Sequence, residues 1–170
     1  AGKLDEKELG QLKANVYQTR YENFRHDIHL HARYIDKDSH ADFKGVTFAF
    51  VCIDKGSARA EIFQLLNDLG IPFIDVGMGL NRKHHAISGM CRLTYYSKEN
   101  AEHQLTKKRA PLIDNPDDIY KTNIQIGELN AINAALAVLK FKQIRGFYTD
   151  DTDMSHLLFE IGDMSILGEE

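Results

Sequence analysis

At 170 residues, with 43% hydrophobic and 27% charged side chains, the chain has the make-up of an ordinary globular protein with one sizeable core, neither disordered nor membrane-embedded. The formal charge is only −4 and the basic residues are scattered, apart from a short cluster at 107–109, so no nucleic acid is expected as a partner. No apolar run approaches the roughly eighteen residues that a spanning helix needs and no signal peptide opens the chain, so no membrane contact is expected.

Residues 5–22 are polar with Leu9, Leu12, Val16 and Arg20 along one face, which predicts a helix with acids in its first turn. In 27–36, Ile28, Leu30 and Ala32 alternate with His29, His31 and Arg33, the pattern of a strand with one wet face. A short turn or helix follows at 39–43. The run 46–53, V-T-F-A-F-V-C-I, predicts a strand buried on both faces of a parallel sheet. Asp54 ends it, Gly56 allows a sharp turn, and Ser57 is placed to cap a helix whose inner face carries Ile62, Leu65, Leu66 and Leu69.

After Gly70, residues 71–79 read as a second buried strand ending in glycines, and 87–96 as a strand returning antiparallel, since the seven residues between them are too few for a crossover helix. Residues 97–120 read as a long loop or crossover segment. The stretch 125–142 predicts a helix with Leu129, Ile132, Leu136 and Leu139 inward and alanines that let neighbours approach, stopped by Gly146. One or two strands are expected within 147–161, with the last residues fraying. The fold class is therefore α/β, a Rossmann-like sheet with a parallel portion and added antiparallel strands.

Strand, acidic turn, helix is an arrangement in which ligands collect at the carboxyl end of the strand, where Asp54 stands. The alternative is a turn acid that caps the helix, with Arg59 a helix surface charge. Cys52, inside the 46–53 run, reads as an inert packing thiol, and Cys91 likewise. The distance between them argues against a disulfide framework and favours a reducing cytoplasm. The eight histidines show no recognised metal-ligand spacing. Gly77-Met78-Gly79 lacks the third glycine and the helix of a dinucleotide fingerprint, so these glycines are expected to bend the chain between strands.

Three segments, Gly10-Gln11-Leu12-Lys13, 50–59 and 70–79, together resemble the second half of the ThiF/HesA/MoeB family, the ubiquitin-activating-like adenylyltransferases, and 120–136 resembles the family's helix after its crossover. The likeness runs from about residue 10 to residue 148. It implies a Rossmann-like ThiF-type domain that binds ATP and magnesium and adenylates the C-terminal carboxylate of a ubiquitin-like or sulfur-carrier protein. It also implies a homodimer, built in part on the late Ala-rich helix.

Lys13 falls where the family sets a lysine against the ATP phosphates, Asp54 where it sets the magnesium-holding acid, and Arg59 serves as a phosphate contact or a salt-bridge partner within the helix. The family's Gly-rich loop, ribose-binding acid and phosphate-binding arginine lie upstream of that lysine. Residues 1–170 are therefore expected to be one domain that is the C-terminal part of a larger adenylation domain, inactive alone. Family zinc cysteines are absent, and no acceptor cysteine follows residue 96. Two other readings stay open, a non-catalytic ThiF-like module that docks a ubiquitin-like partner and half of a nicotinamide or flavin Rossmann domain.

Overall fold

The structure, a computed structural model, describes residues 5–114 and 126–170, with the backbone alone for 81–83. The chain divides into two compact units, Ala1–Ile35 and Asp36–Glu170. In the first, the Asp5 carboxylate caps a single 3₁₀ turn at Glu6–Glu8 by accepting from the Lys7 N–H at 3.0 Å. Helix α1 starts only at Lys13 and ends at Tyr21.

The single helix expected over 5–22 is thus broken. Gly10 takes a left-handed φ of +82°, which stops one helical segment before the next begins, and Arg20 Nε reaches back to Glu8 Oε1 at 3.0 Å. Leu9 and Leu12 are exposed. The strand expected at 27–36 is absent as well. That stretch is irregular after Asp27 (φ 63°), held at Ile28 O by a 2.9 Å bond from Gln18 Nε2, with Tyr34 99% exposed. Alternation sets which side chains would share a face, but a strand also needs a neighbour for its ladder, and among the described residues none pairs here.

The second unit holds a five-stranded mixed sheet in the order β1 (Ala49–Val51), β2 (Phe73–Lys83), β3 (Ala86–Tyr96), β4 (His156–Glu160), β5 (Ser165–Glu169). β1 runs parallel to β2 through α2 (Gly56–Asp68), and every later pair is antiparallel. The α/β class with a parallel portion and antiparallel additions is therefore what the chain adopts. β1 is much shorter than its apolar run and lies at the sheet edge, so Val51 is buried while Phe50 stays 45% exposed, edge-on to Phe141 of α4 (Gly127–Ile144).

One sheet face carries α2 and α3 (Ala101–Thr106). Their core is Phe63 and Leu66 from α2, Val51, Phe73 and Tyr96 from the sheet, and Ala101. Phe73 and Tyr96 stack at 4.6 Å, each tilted against Phe63 at 4.8 Å. The opposite face packs on α4 through Ile74, Leu93 and Ala137, then Cys91, Leu129 and Phe159. Period-2 alternation along β2 and β3 separates the two sets.

Several expectations need correction here. β2 continues through Gly77 and Gly79 to a two-residue turn at His84 and His85, so the glycines do not end the strand. Residues 97–114 contain α3, and the remainder of the expected 97–120 loop lies outside the described residues. The buried stripe of α4 is Leu129, Asn133, Ala137 and Lys140, rotated from the expected one, and Leu139 is exposed. The chain end does not fray, because β5 pairs with β4 as far as Glu169.

Ser57 is not the cap of α2. Its N–H and hydroxyl both bond the Asp114 carboxylate, at 3.2 and 2.7 Å, so an acid from 57 residues downstream covers the helix start. The same segment closes over Gly56, where a Cβ would stand 2.6 to 2.8 Å from three backbone atoms of Ile113. Alanine gains about 1 kcal/mol over glycine in a helix, whereas overpacking against backbone costs about 1–3 kcal/mol. Gly56→Ala is therefore expected to destabilise the protein by up to about 2 kcal/mol in urea unfolding, while Gly127→Ala, with open space at its Cβ, should not destabilise it.

Candidate functional site

β1 stops at Val51, opposite Asp75, and β2 runs on for eight more residues. Past that point a cleft of about 360 Å³ opens at the carboxyl end of β1. Its walls are Cys52 to Asp54, the Val76 to Gly79 stretch of β2, Met90 and Arg92 of β3, Pro111, and Asn130 and Asn133 of α4. The sheet topology forces this opening, because a short edge strand leaves the longer neighbour uncovered.

Asp54 lies on the cleft wall, exposed, and makes no hydrogen bond or ion pair with another described residue. It does not cap α2, since Asp114 does that. Arg59 borders the same cleft, but its guanidinium is committed. Nε donates to Asp75 Oδ1 at 3.0 Å, Nη1 to Pro111 O at 3.0 Å and Nη2 to Ile53 O. With its side chain 4% exposed it is neither a helix surface charge nor free to clasp a phosphate, and of its two suggested roles the salt bridge is the one it fills, with a strand acid rather than a helix one. Lys13, the exposed first residue of α1, belongs to the other unit.

Asp75 was overlooked in the sequence, yet it anchors the floor of the site. It is fully buried and bridges two guanidinium groups, Arg59 through Oδ1 and Arg92 Nη2 through Oδ2. Gly77 is what allows this, because a Cβ there would sit 2.6 Å from Arg92 Nη2 and block its diagonal reach. The signal was available: an acid inside the apolar run 71–76 must find a buried cation.

The polar row continues along this face from Arg92 Nη1 to Thr94 Oγ1 at 3.1 Å, and from Thr94 Oγ1 to His156 Nδ1 at 2.9 Å. Burial, with Arg109 and Arg92 nearby, pushes the His156 pKa down to about 4 against a small opposing pull from Glu169. A histidine whose folded pKa lies below its unfolded value stabilises the fold above the unfolded pKa, and that stability is lost as pH falls toward the folded one. The protein should therefore lose about 1–2 kcal/mol between pH 7 and pH 5, and His156→Gln should flatten that slope in urea titrations.

Cys52 is exposed at the cleft rim, not the buried packing thiol expected of its run, because β1 has already ended. The surrounding protein and then the Asp75 carboxylate still push its pKa up, so little thiolate is present at neutral pH. Cys91 is buried under α4, its Sγ 3.4 Å from Leu129 O, and burial raises its pKa too.

Asn133 is the other residue the sequence reading passed over. It stands in the buried stripe of α4 and donates from Nδ2 to Gly77 O at 2.9 Å. The mark was its spacing, four residues after Leu129 and four before Ala137, where an apolar side chain is the rule.

The fold is thus an α/β sheet whose edge strand stops short to leave an acid-bearing cleft at its carboxyl end. The sequence matches no protein-family model and no curated protein. Among solved structures the chain is similar to the crystal structure of PaaA, in its selenomethionine form, with 14% identity and a TM-score of 0.60. The match covers 98% of this chain and 57% of that one, so the chain spans little more than half the length of this neighbour. At that identity the likeness concerns the fold.

Proposed function

We propose that the chain is part of an ATP-dependent adenylyltransferase that activates the C-terminal carboxylate of a ubiquitin-like or sulfur-carrier protein. The observation that carries this reading is Asp54, an exposed carboxylate with no described partner, on the wall of a cleft at the carboxyl end of a parallel strand. The resemblance over 10–13, 50–59 and 70–79 supplies the reaction class.

A magnesium site fits these residues. Magnesium is usually held by one or two carboxylates together with substrate phosphates rather than by an all-protein cage. Asp54 supplies one such carboxylate. When bound, the ion would neutralise the phosphates and ease the approach of a second anion.

In this account Asp54 would hold the ion, whose charge would stabilise the phosphates. The substrate carboxylate attacks the α-phosphorus of ATP, its oxygen forming the new P–O bond while the bond to pyrophosphate breaks. Arg92 and Arg59, neutralised in part by Asp75, form the cleft floor and do not take part in the transfer. The partners are the carrier protein and a second copy of the chain. The test is ATP–pyrophosphate exchange on the full-length protein with a carrier whose C-terminus is free. Label entering ATP only when both carrier and magnesium are present supports the reading. No exchange with any carrier tail defeats it and leaves the docking module.

A further inference from the structure

The floor of the cleft carries an uneven charge. Arg59 and Arg92 both pair with Asp75, so two guanidinium groups share one carboxylate that has no exposed surface. The charges beside them cancel, since Arg109 pairs with Glu169 and His156, its pKa pushed down to about 4, is neutral at pH 7. Asp54 makes no ion pair with either arginine among the described residues, and its exposed carboxylate is screened by water. One positive charge therefore stays uncompensated beside Val76, Met78 and Met90, apolar neighbours that screen it less than water would.

Of the two arginines, Arg92 is the one whose unspent donor meets the opening. Every guanidinium nitrogen of Arg59 has a partner, in Asp75 Oδ1, Pro111 O and Ile53 O. Arg92 spends Nη2 on Asp75 and Nη1 on Thr94 Oγ1, while its Nε bonds no described residue. Its side chain lines the cleft and is 11% exposed. Arg109 Nε is buried without a partner, whereas Arg92 Nε is unpaired yet reached by solvent. Gly77 keeps the approach clear, because a Cβ there would stand 3.4 Å from that Nε.

We infer that Arg92 makes this cleft an oxyanion site, taking a carboxylate or phosphate group whose charge balances the floor and whose oxygen accepts from Nε–H. The site follows from the charge count and stands whether or not the adenylation reading does. A guanidinium presents N–H groups in a fixed fork that suits the oxygens of either anion. The bonds to Asp75 and Thr94 hold that fork in place before the anion arrives, which lowers the ordering cost of binding.

The experiment titrates the ¹⁵N-labelled full-length protein with sodium phosphate and, separately, with sodium acetate, sodium chloride keeping the ionic strength constant. It follows the Gly77 amide and the Arg92 Nε–H signal. The expected result is a saturable shift of both signals with at least one of the two anions, and binding about tenfold or more weaker in Arg92→Gln, read at Gly77. That variant leaves Asp75 and Arg59 as a one-to-one pair, so it is expected to fold. Saturation by acetate alone identifies a carboxylate, by phosphate alone a phosphate, and by both the charge they share. No saturable shift of Arg92 Nε–H with either anion, or saturation at the same concentration in Arg92→Gln, overturns the inference. Should Arg92→Gln fail to fold, the Nε–H signal of the unaltered protein still decides.

Discussion

Asp75→Asn is expected to cost about 3–5 kcal/mol of folding stability, the largest loss from any single substitution considered for this chain. The carboxylate has no exposed surface and neutralises two guanidinium groups whose side chains are only 4% and 11% exposed. Asparagine keeps the shape but not the charge, and its NH₂ would face an arginine donor, leaving two buried cations and an orphaned N–H. Against a total stability of about 5–15 kcal/mol for a domain, that loss is enough to unfold much of the population at 37 °C. Urea unfolding with an unchanged m-value and a strongly lowered midpoint is the expected signature. A shift below about 1 kcal/mol would mean that solvent reaches the cluster and screens it.

Asp54→Asn should behave in the opposite way. The side chain is exposed and makes no contact with another described residue that the fold would lose, so stability should change by less than about 0.5 kcal/mol. ATP–pyrophosphate exchange by the full-length protein should nevertheless fall by roughly 100- to 1000-fold, the scale on which a group stabilising transition-state charge acts. The amide cannot neutralise a cation and binds magnesium poorly, so raising the magnesium concentration should recover little of the lost rate. The contrast between the two substitutions is diagnostic: on the proposed reading one acid would maintain the fold and the other would serve the cleft. If Asp54→Asn unfolded the protein while leaving the rate per folded molecule unchanged, Asp54 would be a turn acid after all.

How much of this was legible in the sequence depends on what each element needed. The β2–β3 hairpin, α2 and α4 follow from periodicity, because their faces meet neighbours within the same unit. The stretch 27–36 had the right alternation but no neighbouring strand among the described residues, so its pattern did not become a strand. The helix expected over 5–22 failed at a single residue, Gly10, whose left-handed backbone outweighed the spacing around it. That Asp54 lies just past the carboxyl end of β1 was legible because a strand end is a position in the chain. Asp75 and Asn133 were missed because each is a polar residue at an apolar position. Their meaning comes from pairs such as Arg59 with Asp75 and Asn133 with Gly77, 16 and 56 residues apart. Ser57 shows the same limit, since its partner Asp114 is equally remote.

The account depends most on Asp54 holding a divalent ion beside a nucleotide. The most direct measurement is paramagnetic broadening in the ¹⁵N-labelled full-length protein, with manganese standing in for magnesium and ATP present. The account predicts that resonances of Asp54, Lys55 and Gly56 bleach first and that Asp54→Asn abolishes this at the same manganese concentration. Bleaching centred elsewhere in the protein, or unchanged in Asp54→Asn, would contradict it.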